Sequence, residues 1–288
     1  MNILSIQSSV AFGHVGNSAA VFPLQRLGHE VWPINTVQFS NHTGYGQWRG
    51  EVFPAAHLAD ILDGMTERRA LAGTGAVLSG YLGDAAIGQV VLDAVRRVRN
   101  QTTDALYCCD PVMGDEGRGL FVRPDIPAFF TEQAILAADI VTPNQFELEL
   151  LTGGPVSTLA QAIAAARALS TRGPRFVAVT SLRPPAVAPC HLGSLLVSPE
   201  GTFLVETPQI DFAVAPNGAG DVFAALLLGR LALGLAAPAA LAATVNALFA
   251  LLARTKALGQ RELALVAAQE DLANPPHRFQ VHMAVPEG

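Results

Sequence analysis

The sequence predicts an α/β protein with an open, mostly parallel central sheet that is flanked by helices on both faces. Short apolar runs alternate with helical patterns along most of the chain, which is the order expected of repeated βαβ units. The runs are continuously apolar, as expected of strands that are covered on both faces. The chain has 288 residues, 50% of them hydrophobic, which is enough for a large core. No linker or repeat divides the sequence, so we expect one domain over residues 1–288.

The individual elements follow from these patterns in chain order. Apolar runs predict six strands at 2–7, 30–37, 76–81, 104–109, 139–142 and 175–180. The segments between and beside them predict six helices at 17–27, 57–69, 84–100, 125–137, 145–152 and 158–171. Residues 193–207 differ, because two short apolar stretches surround Pro199-Glu200-Gly201 and predict a small β-hairpin.

One uncharged segment, residues 231–253, is as long as a membrane span. Its apolarity comes mostly from alanine, and Pro238 and Asn246 interrupt it. Arg230 and Arg254 flank it. We therefore expect two buried helices that meet near Pro238, and no association with a membrane. No basic region precedes the first apolar run, so no signal peptide is visible and a cytoplasmic location is expected.

Charge and cysteine content exclude several classes of function. The net charge is −6 and no basic stripe is present, so nucleic acid is not expected as a partner. The chain has three cysteines and no CxxC pair, which argues against a disulfide framework or a zinc site. Cys108 and Cys109 fall in a predicted strand, where buried thiols are expected.

The most informative stretch is residues 217–221, which read NGAGD and run directly into the apolar helical sequence VFAALLLGRLALG. Glycines let a ligand approach the backbone closely. The free N–H groups and the positive dipole end of a helix start favour an anion such as phosphate. Asp221 would stand beside that anion as a base, and transfer of phosphate to an alcohol needs both features. An ordinary loop-to-helix turn with an acidic residue would explain the pentapeptide equally well.

Polar and glycine residues recur where the predicted strands end. They lie at 7–9, 13–17, 38–46, 110–115, 143, 144, 147 and 181. Ligands of parallel α/β sheets bind beyond the carboxyl ends of the strands, so these residues indicate a site at one edge of the sheet. Loops are polar in any case, but chance does not readily explain the repeated coincidence with strand ends.

Three acidic residues in these segments, Asp110, Asp115 and Glu147, suit Mg²⁺, which binds few protein carboxylates and keeps many waters. Simpler explanations exist, because Asp110 precedes Pro111 in a common strand-to-turn pair and Glu147 could be a first-turn helix acid. The sequence lacks G-x-x-x-x-G-K-[ST], which excludes a Walker-type phosphate site.

These residues lie in longer strings by which the chain resembles the pyridoxal kinases of the ribokinase-like superfamily. The strings are SIQS at 5–8, VGNSAAVFPLQRLG at 15–28, NTVQFSNHTGYGQW at 35–48, LSGYLG at 78–83, CDPVMGDEGRGLFV at 109–122, TPNQFELELLTG at 142–153, NGAGDVFAALLL at 217–228 and ELALVAAQEDLANPPHRFQ at 262–280. GAGD alone is typical of the whole superfamily, whereas FSNHTGY and DPVMGD are more specific. The resemblance covers almost the whole chain and implies a ribokinase-like fold.

The resemblance implies ATP-dependent phosphorylation of the 5′-hydroxymethyl group of pyridoxal, and of pyridoxine or pyridoxamine as further substrates. Asp221 would be the base, and Gly218, Ala219 and Gly220 would form the anion hole. Residues implied to bind the pyridine ring are Ser8, Val15, Thr43 and Tyr81. Residues implied to face ATP are Asp110, Asn144, Glu147, Thr180, Ser181, Phe212, Gly218 and Gly220.

The resemblance also implies cofactors and partners. Mg²⁺ would be placed by Asp110, Asp115 and Glu147, and a monovalent cation, K⁺ or Na⁺, by Thr142 with Asp110 and Thr180. A homodimer is implied as the assembly. His42 is expected to order its loop by hydrogen bonds rather than to contact a ligand.

The chain departs from the family pattern at four positions: Ser9 where many bacterial relatives have His, Thr180 where many have Lys, Ala219 where Thr or Val is usual, and Phe121 where some have Tyr. None of these changes removes the base. Two other functions remain open at this point. One is a kinase for another hydroxymethyl substrate, such as the hydroxymethylpyrimidine of thiamine synthesis. The other is a non-catalytic protein that binds pyridoxal or its phosphate.

Overall fold

The computed structural model describes residues 1–183 and 187–285. Its strands are β1 (Asn2–Phe12), β2 (Glu30–Asn41), β3 (Gly50–Val52), β4 (Thr74–Ser79), β5 (Leu106–Cys109), β6 (Gly114–Asp115), β7 (Gly119–Leu120), β8 (Ile140–Val141), β9 (Phe176–Leu182), β10 (His191–Ser198), β11 (Gly201–Pro208) and β12 (His282–Met283). Within the described residues, ten of them form one sheet in the order β12-β11-β10-β9-β8-β5-β4-β1-β2-β3, and β6 pairs with β7 in a separate hairpin.

The centre of the sheet is parallel and its edges are antiparallel. Each neighbouring pair from β9 through β8, β5, β4 and β1 to β2 is parallel. β3 adds an antiparallel strand at one edge, and β10, β11 and β12 add three at the other. The predicted hairpin is therefore confirmed as β10 and β11, which extend the main sheet beyond β9. The predicted α/β class with a mostly parallel sheet is confirmed as well.

The helices are α1 (Asn17–Arg26), α2 (Ala55–Glu67), α3 (Ala85–Arg99), α4 (Ile126–Ala137), α5 (Gln145–Thr152), α6 (Leu159–Ser170), α7 (Ala219–Ala232), α8 (Ala237–Ala257) and α9 (Gln269–Ala273). A 3₁₀ turn covers Thr43–Tyr45, and the middle of α4, Phe130–Ala134, is π-helical. Side-chain caps begin three of these helices: Asp84 for α3, Asn144 for α5 and Thr158 for α6. Such caps satisfy backbone N–H groups that lack partners at a helix start.

Two apolar layers cover the two faces of the sheet. One layer contains Leu58 of α2 and Val91 of α3, and the other contains Leu24 of α1 and Phe223 of α7. In β1, Leu4 packs into the first layer and its neighbour Ile3 into the second, because successive side chains of a strand point to opposite faces. Burial on both faces explains the continuously apolar strands. Burying each large aliphatic side chain contributes about 1.5–3 kcal/mol.

Two helices share the apolar segment 231–253 and meet near Pro238, as predicted: residues 231 and 232 end α7, and the rest of the segment lies mostly in α8. α7 ends at Ala232 and α8 begins at Ala237, with Pro238 in its first turn. Proline is well tolerated there, because N–H groups in the first turn have no hydrogen-bond partner within the helix. Among the described residues, α8 is the one helix whose length and hydropathy would suit a membrane span. Half of its most apolar window is buried inside the protein, against β10, β11, α7 and α9. This packing is sufficient to explain its composition.

The first two strands run farther than predicted, which moves the expected strand ends. β1 continues to Phe12, and β2 to Asn41, because the two strands keep pairing beyond Gln7. The register shifts between Gln7 and Ser9, so Ser8 lies at an irregularity inside the strand, where the sequence predicted a loop. β-bulges of this kind redirect side chains and are common beside active sites. The short strands β3, β6, β7 and β12 were not predicted.

Candidate active site

The pentapeptide NGAGD lies at the start of α7. Gly218 has φ +89° and stands directly before the helix. A Cβ on Gly218 would be 1.9 Å from the carbonyl oxygen of His14, so only glycine fits against this turn. A Cβ on Gly220 would meet no atom within 4 Å, so the backbone there faces open space. A helix start with free N–H groups is therefore accessible to an anion.

Asp221 lies in the first turn of α7, where its side chain is half-buried. The backbone N–H groups of Gly16 and of Asp221 itself face the carboxylate and act to lower its pKa. Burial nevertheless dominates and raises the pKa of Asp221 from 3.8 to about 6. A carboxylate with a pKa near 6 is a stronger base than an ordinary aspartate and is still ionised at neutral pH.

Gly16 links Asp221 to Ser8, one of the predicted ring-binding residues. A Cβ on Gly16 would lie 2.1 Å from the carbonyl oxygen and 2.4 Å from the hydroxyl of Ser8. The positive φ of Gly16, 53°, also favours glycine. Gly16 therefore adjoins both Ser8 and Asp221.

The two residues expected to line the ring-binding pocket lie in one apolar cluster. Val15 is 8% exposed and packs with Val10, Val37 and Phe39, and Tyr81 packs against this cluster. The two residues predicted as walls, Val15 and Tyr81, are thus brought together. Thr43 is exposed in the 3₁₀ turn, where its hydroxyl is available to a ligand.

Residues 42–45, which we call the HTGY loop, come close to the pentapeptide. A Cβ on Gly44 would lie 3.8 Å from the Nδ2 atom of Asn217. The backbone N–H of Gly44 donates to Nδ1 of His42 over 3.0 Å. His42 therefore orders the loop, as the sequence predicted.

Two buried acidic residues, Asp110 and Glu147, lie near the start of α7, and Asp110 senses the charges of both Glu147 and Asp221. Asp110 and Glu147 are each 4% exposed, and the Thr142 hydroxyl donates to Asp110 over 2.8 Å. Burial, and then the charges of Glu147 and Asp221, raise the pKa of Asp110 well above its ordinary value. Burial also raises the pKa of Glu147. A cation bound here would relieve this crowding of negative charge.

Glu147 also has the structural role that its position in the first turn of α5 suggested. It forms a capping box with Asn144. Its Oε1 atom accepts from the N–H of Met113 at 2.9 Å, and its Oε2 atom accepts from the N–H of Asn144 at 2.9 Å. The Asn144 side chain in turn donates to the Gly114 carbonyl over 2.8 Å. These bonds hold α5 against the β6-β7 hairpin.

The remaining predicted ligands are more dispersed. Asp115 lies in β6 and forms an ion pair with Arg118. Over residues 1–183 and 187–285, no group of three or more His, Cys, Asp or Glu side chains is arranged to hold a metal ion.

Of the other predicted ATP-facing residues, Asn144 follows β8, Thr180 and Ser181 lie near the end of β9, and Phe212 lies in the loop before α7. Thr180 forms an isolated parallel β-bridge with Asn144, and the Thr180 N–H donates to the Pro143 carbonyl over 3.0 Å. Ser181 is exposed, and its φ of +58° is a strained backbone conformation for serine. Strained residues of this kind cluster at functional sites. Phe212 is half-buried, and the Lys256 ammonium lies 5.7 Å from its ring centre.

Several contacting residues were missed by sequence reasoning. Gly16, whose N–H faces Asp221, stood within a string of the resemblance but had no assigned role. Arg261 and Glu262 contact the HTGY loop from a distant part of the chain. Glu262 begins the last string of the resemblance, which was the one signal available for it.

Comparison with known proteins identifies the family. A family model described as phosphomethylpyrimidine kinase matches residues 56–265. Pyridoxal kinase PdxY of Rubrobacter xylanophilus is 57% identical over 282 residues, covering 98% of this chain and 97% of that protein. Pyridoxal kinase PdxY of Deinococcus radiodurans is 54% identical, covering 96% and 95%. The structure of Leishmania donovani pyridoxal kinase with ADP and pyridoxamine has 32% identity and a TM-score of 0.90, covering 99% of both chains.

The identity extends over nearly the whole length of both chains, and the fold is shared, so the similarity is not confined to one motif or one part of the chain. The resemblance read from the motifs is therefore confirmed, and so is the ribokinase-like architecture. The chain belongs to the pyridoxal kinase family and is a kinase.

Proposed function

We propose that this protein transfers the γ-phosphoryl group of ATP to the 5′-hydroxymethyl group of pyridoxal, with Asp221 as the general base. It would act in salvage of vitamin B6 and produce pyridoxal 5′-phosphate. The observation that carries the proposal is the place of Asp221: it lies in the first turn of α7, at the open helix start, and faces the N–H of Gly16 beside Ser8, and its pKa is raised. The related kinase of Leishmania donovani binds ADP together with pyridoxamine or pyridoxine, which supports a nucleotide and a B6 vitamer as the two substrates.

The chain's own residues supply positioning and charge stabilisation, which are the main demands of phosphoryl transfer. The ring would rest on Val15 and Tyr81, with Ser8 and Thr43 at its polar edge. Asp221 would accept the proton of the attacking hydroxyl. The backbone N–H groups of residues 218–220 would then stabilise the migrating phosphoryl group, and they do not depend on the methyl side chain of Ala219.

Nucleotide and cations would bind on the acidic side of the cleft. Asn144, Thr180 and Ser181 would face the ATP phosphates, and Phe212 would lie toward the adenine. The oxygen donors there fit hard cations. Asp110, Asp115 and Glu147 would hold Mg²⁺ through few direct bonds, and Thr142, Asp110 and Thr180 would hold K⁺ or Na⁺. When bound, these ions would neutralise phosphate charge.

A second candidate substrate is a hydroxymethylpyrimidine, because the matching family model is described as phosphomethylpyrimidine kinase. The deciding experiment compares kcat/KM for pyridoxal, pyridoxine, pyridoxamine and hydroxymethylpyrimidine with Mg-ATP, with and without K⁺. We expect a pyridoxal-type substrate to be preferred. A higher kcat/KM for the pyrimidine would overturn the assignment. Binding of pyridoxal without formation of phosphorylated product would instead indicate the non-catalytic alternative, which the intact Asp221 argues against.

The remaining proposals concern the setting of the enzyme. We expect a single kinase domain over residues 1–288 that acts in the cytoplasm as a homodimer, without binding nucleic acid or membrane. Light scattering of the purified protein would measure the assembly state, and a mass of one chain at working concentration would contradict the dimer.

A further inference from the structure

We propose that Glu262 is a positioning residue that fixes the HTGY loop against the anion hole and thereby sets the affinity for the pyridoxal ring. This inference rests on the proposed function. Glu262 lies in the segment between α8 and α9, far along the chain from both parts of the site that it joins.

The Glu262 carboxylate bonds two separate segments at once. The Tyr45 hydroxyl donates to its Oε1 atom over 2.5 Å, and the backbone N–H of His14 donates to its Oε2 atom over 3.0 Å. A Cβ on Gly13 would lie 2.2 Å from Oε2, so the turn at residues 13–14 wraps closely around the carboxylate. Hydrogen bonds to an ionised carboxylate are stronger than neutral ones.

The neighbouring Arg261 holds the same loop by different contacts. Its guanidinium lies 3.6 Å from the centre of the Tyr45 ring, and its Nη2 atom donates to the Gly44 carbonyl over 3.4 Å. Consecutive residues therefore engage the ring, the hydroxyl and the backbone of the HTGY loop. Stacking of arginine on an aromatic ring adds to the attraction.

The turn held by Glu262 is also the one that supports the anion hole. The His14 carbonyl oxygen is in close contact with Gly218. The Leu263 side chain lies beside the same glycine, 3.3 Å from where a Cβ on Gly218 would be. Glu262 thus accepts a hydrogen bond from the N–H of His14, and the carbonyl oxygen of the same residue contacts the start of α7. Displacing the carboxylate would release the HTGY loop, which carries Thr43, from this rigid support, and small errors in position are costly in catalysis.

The test uses Tyr45→Phe, Glu262→Ala and the double variant in steady-state kinetics, with Glu270→Ala as control. Glu270 is an exposed glutamate of the same C-terminal region, paired with Arg26. Tyr45→Phe removes only the hydroxyl and keeps the ring beneath Arg261. We expect both single variants to raise the KM for pyridoxal about 10-fold or more, with the KM for ATP changed less than about 2-fold. The double variant should match Glu262→Ala, because the hydroxyl acts through the carboxylate.

Three results would overturn the role of Glu262: an unchanged KM for pyridoxal, equal rises in both KM values, or a double variant clearly worse than Glu262→Ala. If Glu262→Ala does not fold, Tyr45→Phe alone decides the matter by the same split between the two KM values. Wild-type protein that phosphorylates no B6 vitamer would contradict the proposed function itself, whereas active wild type with unaffected variants would contradict only this inference.

Discussion

Replacing Asp221 by Asn should stabilise the folded protein while removing the proposed base. Burial raises the pKa of Asp221 from 3.8 to about 6, so the folded state binds this proton more tightly than the unfolded state does. When a carboxyl group has a raised pKa in the folded state, the folded protein loses stability as the pH rises from the unfolded-state pKa to the folded-state pKa. Each pH unit corresponds to about 1.4 kcal/mol, so ionised Asp221 destabilises the fold by about 3 kcal/mol above pH 7.

Asparagine has nearly the same shape, and its carbonyl oxygen can still accept from the Gly16 N–H. The gain in the free energy of unfolding for Asp221→Asn should therefore be about 0.5 kcal/mol at pH 4 and rise to about 3 kcal/mol above pH 7. Sites that carry function often reduce stability in this way. Urea unfolding of both proteins at several pH values between 4 and 7.5 measures the difference directly.

A matched control is Asp60→Asn, which neutralises an exposed carboxylate on α2. Its effect should stay within about 0.5 kcal/mol at every pH, as is usual for surface substitutions. If Asp221→Asn gave no gain at pH 7.5, or the same gain at pH 4 as at pH 7.5, ionisation of a buried base would not be the cause and the reasoning would be refuted.

Four further outcomes follow from the site. Thr43→Ala should raise the KM for pyridoxal more than the KM for ATP, and steady-state kinetics with the reverse order would contradict its place at the ring. Gly220→Ala should leave the melting temperature unchanged, because its Cβ meets nothing within 4 Å, yet lower kcat by narrowing the anion hole. Gly218→Ala should lower the melting temperature by several degrees, because its Cβ would clash with the His14 carbonyl at φ +89°; equal melting temperatures for the two alanine variants would refute this contrast. The kcat/KM for pyridoxal should fall as pH drops below about 6, where Asp221 becomes protonated, and a flat profile from pH 5 to 8 would exclude that base.

Much of the fold could be predicted because its signals are local. Continuous apolar runs marked the central strands, and the hairpin at Pro199-Glu200-Gly201 was marked by its turn residues. The extension of β1 past Gln7 could not be predicted in the same way, since residues 8–12 form a strand through pairing with β2. The short edge strands likewise depend on partners that are distant in sequence.

The candidate site divides along the same line. Residues in compact motifs, such as Gly218 and Asp221, could be proposed from the sequence, because glycine and an acid at a helix start have a direct chemical interpretation. The contact of Gly16 with Asp221 and the bonds of Glu262 to Tyr45 could not, because they join segments that only the tertiary fold brings together. The double role of Glu147, as a capping residue and as part of the acidic cluster, also required the structure to be recognised.

The central claim is that Asp221 deprotonates the alcohol of the vitamin beside the anion hole. Single-turnover transfer from labelled ATP to pyridoxal, measured for wild type and Asp221→Asn with pyridoxal affinity determined in parallel, tests it most directly. We predict that transfer slows about 10²–10⁴-fold while the affinity stays within a few-fold. Transfer at the wild-type rate in the variant would contradict the account.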